Sequence, residues 1–104
     1  MNKVFLYVTA ETVADANRIG RALVEARLAA CANVLPGMTS IYRWQGAVTE
    51  AAETVLILKT REDLAEAAVE RIKALHAYAC PCVAILPVTG GNADFLTWIE
   101  NETS

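Results

Sequence analysis

The 104-residue sequence contains no hydrophobic run that approaches the ~20 apolar residues of a membrane span, because arginine, glutamate, asparagine or lysine interrupts every apolar stretch. A soluble chain that neither crosses nor binds a membrane is expected. An excess of positive charge is also missing: 9 Lys+Arg stand against 12 Asp+Glu, a formal net charge of -3, so nucleic acid is a poor default partner. The N-terminal segment, Met1 to Val8, lacks a long apolar stretch followed by a small-residue cleavage site, and it reads as a strand rather than an export address. Three cysteines, an odd number flanked by small or apolar residues, do not make the even framework of a disulfide-rich secreted protein, which favours a reducing, cytoplasmic setting. No G-x-x-x-x-G-K-[ST], G-x-S-x-G or H-E-x-x-H motif is present, and Glu11 stands where a phosphate would meet the first helix. Nothing in the linear sequence advertises an enzyme.

What is present is apolar material in regular patterns. At 55% hydrophobic residues, a single domain over 1–104, with an expected radius of gyration of roughly 13 Å, has more apolar surface than one small core can bury. Association with further copies of the chain is the first inference. Lys3 to Thr9 is an almost unbroken strand-forming run suited to burial on both faces. Thr12 then caps an amphipathic helix carrying Val13, Ala16, Ile19, Leu23, Val24 and Leu28 at spacings of three and four. Gly20 within it marks either a close approach to the sheet or a helix-weakening glycine.

Cys31 to Leu35 is a second strand, bent at Pro36-Gly37 and resuming at Thr39, and Gln45-Gly46 marks a turn or bulge. Glu53 to Thr60 returns alongside it, so 39–60 predicts a hairpin whose arms exceed what one small sheet needs. Glu62-Asp63 opens a helix running to about His76, Cys82 to Val88 is a fourth strand, and Asn92 caps a short terminal helix with Phe95, Trp98 and Ile99. The order β-α-β-β-α-β plus one helix predicts an α+β, ferredoxin-like antiparallel sheet with two helices on one face.

The single histidine, His76, followed by Tyr78, Cys80 and Cys82, is the candidate soft-metal cluster; its alternative is a polar helix C-cap beside small thiols at a loop junction. C-x-C spacing is not the paired C-x-x-C of a zinc knuckle. Cys31 reads as a small core hydrophobe. Tyr42 and Trp44 share a strand face, and without a basic frame they suit packing against another subunit better than base stacking. Glu53 and Lys59 share strand parity, and they form either a polar pocket with His76 or two charges at the sheet rim.

Several segments together resemble the CutA divalent-cation-tolerance proteins: Leu28-Ala29-Ala30-Cys31-Ala32-Asn33, Ser40-Ile41-Tyr42-Arg43-Trp44-Gln45-Gly46, Leu58-Lys59-Thr60, His76-Ala77-Tyr78 with Pro81, and Asp94 to Ile99. The resemblance covers essentially the whole chain. It implies a homotrimer similar to the PII-type regulators, a link to metal tolerance with copper or another divalent ion as ligand, and no organic cofactor. It further implies an inter-subunit cleft drawing on Cys31, Tyr42, Trp44, Glu53, Lys59, His76, Tyr78 and Trp98. Some bacterial relatives carry a cysteine and a second histidine where this chain has Val8 and Leu75, which removes that thiol and histidine pair from any metal site here. Cys80 and Cys82 stand where the family usually has other residues, so a site combining them with His76 is particular to this sequence. The competing expectation is a small-molecule sensor whose clefts bind an anionic metabolite through Lys59, with Tyr42 or Trp44 as an apolar wall.

Overall fold

The computed structural model describes residues 2–104, and its elements follow the hydrophobic patterning. In chain order they are β1 (Lys3–Ala10), α1 (Val13–Glu25), β2 (Cys31–Trp44), β3 (Ala47–Arg61), a single 3-10 turn (Glu62–Leu64), α2 (Ala65–Leu75), β4 (Val83–Val88) and α3 (Ala93–Glu102). The four strands form one antiparallel sheet in the order β2-β3-β1-β4. Alternation along β1 buries Val4, Leu6, Val8 and Ala10 with Leu56 and Leu58 of β3. Ala16, Ile19 and Leu23 of α1 and Ala65, Ala68 and Ile72 of α2 close this core. On the opposite face of β1, Lys3 and Thr9 are buried but Phe5 and Tyr7 between them are only half-buried, so β1 is fully covered on one face rather than two. That second face holds α3: Lys3 on it reaches Glu100, and the ammonium of Lys59 lies over the Phe95 ring.

Thr12 caps α1 as its residue type requires, its hydroxyl accepting from the Asp15 N–H at 3.1 Å. The helix stops short of the expected Leu28. Arg27 turns into the left-handed region (φ 57°), and the Leu28 N–H donates to the Leu23 carbonyl while the Arg27 N–H donates to Val24, a Schellman closure made without glycine. Gly20 is a close approach: a Cβ there would sit 3.0 Å from Ala32 Cβ and 3.1 Å from Leu56 Cδ1. Pro36-Gly37 does not break the second strand in two. β2 runs continuously, and the extra residues are absorbed as a bulge between Leu35 and Met38. Gln45 and Gly46 both have positive φ (50° and 82°), the pairing that a two-residue hairpin turn requires.

The hairpin of β2 and β3 is longer than the sequence indicated, with β3 beginning at Ala47 rather than Glu53. Its free end carries the molecule to 44 × 25 × 22 Å and the radius of gyration to 14.1 Å. Asn92 caps α3 through its side-chain oxygen, which accepts from the Asp94 N–H.

Candidate functional site

The segment after α2 is stitched to the end of β1. His76 ends α2, and its backbone N–H still donates to the Ile72 carbonyl. Its ring does not serve the helix end. Nε2 lies 2.8 Å from the carbonyl oxygen of Thr9, and Nδ1 accepts from the Tyr78 backbone N–H at 3.0 Å. Because a backbone N–H can only donate, Nδ1 is the acceptor and Nε2–H the donor to Thr9, which defines the neutral tautomer. The Thr9 N–H in turn donates to the Cys82 carbonyl at 3.4 Å, so β1 holds both ends of 76–82.

This stitching delivers Tyr78. Its ring lies 4.7 Å from the imidazole, and its hydroxyl donates to Glu53 Oε2 at 2.8 Å. Burial first, then the hydrogen bond to Glu53 and its negative charge, push the phenol well above its usual pKa of 10.0, with Glu11 and Tyr42 adding to the effect. Glu53 lies opposite Met38, just past the bulge on the open face of the hairpin. Ser40, Tyr42 and Trp44 follow on that face at period two.

Together these groups enclose a cleft of about 600 Å³ lined by Thr9, Ser40, Ile41, Tyr42, Trp44, Glu53, Tyr78, Ala79, Cys80 and Cys82. The structure thus brings six of the sequence-derived candidates together: Tyr42, Trp44, Glu53, Tyr78, Cys80 and Cys82. Three others lie elsewhere in the chain. Cys31 borders a separate groove between α1 and β2, with Gly20 and Val24. Trp98 stacks on Phe95 along α3. Lys59 shares the face of Glu53 but lies six residues along β3, its ammonium 5.3 Å from the Phe5 ring centroid and 5.4 Å from that of Phe95. The polar pocket of Glu53, Lys59 and His76 therefore does not form within one chain, and no basic residue lines the cleft. His76 stands behind Tyr78 rather than on the lining. Among the described residues no three His, Cys, Asp or Glu side chains gather as a metal-binding group. Thr9 and Ala79, which the sequence did not single out, are placed on the lining by strand pairing and by the path of 76–82.

A ferredoxin-like sheet with an extended hairpin, and a cleft built where that hairpin meets the 76–82 segment, define a narrow class of small α+β proteins. The family model of the CutA1 divalent ion tolerance protein matches residues 4–102, and the chain belongs to that family. The divalent-cation tolerance protein CutA of Thermus thermophilus is 47% identical over 100 residues, covering 96% of this chain and 95% of that protein. The crystal structure of CutA1 from Oryza sativa superposes with a TM-score of 0.96 at 40% identity, covering 100% of this chain and 95% of that one. The structure of the periplasmic divalent cation tolerance protein CutA from Archaeoglobus fulgidus gives 0.95 at 35% identity, covering 98% and 99%.

Proposed function

We propose that the protein is a non-enzymatic cytoplasmic homotrimer, each chain a single domain, that takes part in the response to divalent metal ions. Copper, or a similarly thiophilic ion, is the proposed ligand and Cys80 and Cys82 are the proposed donors; no organic cofactor is involved. The observation that carries the metal reading is that these two exposed thiols line one cleft. Two thiolates suit copper or Zn(II) better than Mg(II) or Ca(II), which need several oxygens. For His76 to join them, its ring must give up the Thr9 or the Tyr78 hydrogen bond. The names of relatives, which speak of divalent-cation tolerance, support the same direction.

The trimer reading is supported by the exposed apolar side chains of the hairpin, Ile41 at 68%, Val48 at 66% and Trp44 at 53%, which lie beyond the reach of the chain's own core. No helix is long and apolar enough to cross a membrane.

The test is calorimetric titration of the reduced, metal-free protein with Zn(II), and with Cu(I) under anaerobic conditions, beside a Cys80→Ser, Cys82→Ser variant. Saturable binding that the double variant loses is expected, weakening at lower pH as protons compete for the thiolates. Equal binding by both proteins removes the thiols from the site. A His76→Ala arm reports whether the ring takes part.

The competing sensor reading draws on the cleft itself, which is far larger than a bare ion needs. Its anionic form requires Lys59, which within one chain lies against Phe5 and Phe95, to face the cleft of a neighbouring subunit.

A further inference from the structure

We propose that Cys80 and Cys82 are a redox pair, oxidised by hydrogen peroxide to a disulfide within one chain and returned to thiols by a low-molecular-weight thiol. This goes beyond the metal reading and does not depend on it.

Four observations carry the assignment. Both thiols are exposed, whereas Cys31 is half-buried beside α1, and thiol oxidation follows exposure. The two stand two residues apart with Pro81 between them. Proline holds its φ at roughly −65° and biases the residue before it to extended backbone; the polyproline-type step this favours sets the Cα atoms of 80 and 82 about 6 Å apart, within the roughly 4.4–6.8 Å that a disulfide spans. Among the described residues no hydrogen bond engages the backbone of Ala79, Cys80 or Pro81, so nothing there opposes the rotation about ψ that turns one sulfur toward the other. The flanks are held: the His76 ring ties the Thr9 carbonyl to the Tyr78 N–H, and the Thr9 N–H ties the Cys82 carbonyl. Cys80 is therefore the mobile thiol and Cys82 the anchored one, and ring closure breaks neither anchor. The bond lies inside 76–82 of a single chain, so it draws nothing from the open volume of the cleft, and peroxide is small enough to reach a thiol between assembled subunits.

The Cys80 thiolate attacks one peroxide oxygen, the O–O bond breaks, and hydroxide departs from a sulfenic acid on Cys80. The Cys82 thiolate then attacks Cys80 Sγ, the S–O bond breaks and a second hydroxide leaves. With the two thiol protons these make two waters, and the pair has given two electrons to the peroxide. Two molecules of a glutathione-type thiol reverse the step and leave as their own disulfide. In a reducing compartment such a bond is transient, as redox-sensing disulfides are, and where the metal reading holds it withdraws both proposed donors at once.

The experiment uses the assembled, reduced and metal-free protein. Lys73 is the last basic residue, so trypsin releases 74–104 with both thiols of the pair and 28–43 with Cys31. After brief peroxide exposure and alkylation, 74–104 is expected to be unalkylated and two hydrogens lighter than its reduced form. The pair should be lost at least about tenfold faster than Cys31, which stays alkylatable. Dithiothreitol should restore both thiols. Cys82→Ser should stop at the sulfenic acid, trapped on Cys80 by dimedone, an adduct that the wild-type protein should not accumulate. Loss of the pair no faster than loss of Cys31, a bond joining peptides of two chains, or sulfinic acid at both positions in place of the bridge overturns the proposal.

Discussion

Tyr78 joins two halves of the site, and its protonation state is where that junction is exposed to pH. The folded protein holds the phenol proton more tightly than the unfolded chain does, because burial and the Glu53 carboxylate oppose a phenolate. Stability from this source is therefore complete below about pH 10, the pKa of an unperturbed tyrosine, and falls as pH rises from there toward the higher folded value. Tyr78→Phe should flatten that alkaline decline in urea midpoints measured from pH 9 to 11, and remove the late portion of the phenolate absorbance change. An unaltered slope would mean that another group causes the decline. Thr60 presents the opposite case. Its hydroxyl is buried among the core residues with no hydrogen-bond partner among the described residues. Thr60→Val keeps the shape and strand preference while removing an unsatisfied group, and should raise stability by about 1 kcal/mol in denaturant unfolding. At this scale the sequence was only partly legible. Tyr42, Trp44 and Glu53 follow from strand parity, but parity also selects Lys59, and only tertiary placement separates a residue at the cleft from one lying six positions further along the same face. The engagement of His76 with Thr9 spans 67 positions, a separation at which no local pattern carries information.

The elements themselves were largely readable because each is bounded by a residue with a local mechanism. Thr12 and Asn92 both cap where their side chains predict, and Gln45-Gly46 turns where the strands reverse. Thr12→Ala should cost about 1 kcal/mol, read by thermal or urea unfolding, through loss of the Asp15 N–H acceptor. Where sequence and structure differ, a nonlocal contact or an untypical residue intervenes: α1 ends at Glu25 because Arg27 takes the left-handed conformation that glycine usually supplies, and Pro36-Gly37 is absorbed into a bulge because β3 pairs on both sides of it. Gly20 resolves in favour of close approach. Alanine there gains roughly 1 kcal/mol of helix propensity, but its methyl meets Ala32 Cβ, which cannot rotate away. Gly20→Ala should therefore destabilise by about 1 kcal/mol net, as overpacking does. Pairing it with Ala32→Gly should show strong non-additivity in a double-mutant cycle, whereas simple addition would place the strain elsewhere.

The molecule as a whole presents a well-filled core on one side of the sheet and a long, apolar hairpin reaching beyond it. Sedimentation at low micromolar concentration is expected to give a trimer, and Ile41→Lys with Val48→Lys should shift it toward smaller species; a stable wild-type monomer would contradict the argument from surplus apolar surface. The sheet order has a further consequence for how the chain is made. β1 leaves the ribosome before both of its neighbours, β3 and β4, so its polar backbone edges find their first partners only when residues 54–61 emerge and are covered on both sides only once residues 83–88 follow. The β2–β3 hairpin, closed by its two-residue turn, pairs locally and early. Synthesis thus creates an interval in which a finished hairpin waits beside an open, strongly apolar strand, and in that interval the nascent protein is most vulnerable to pairing with another chain.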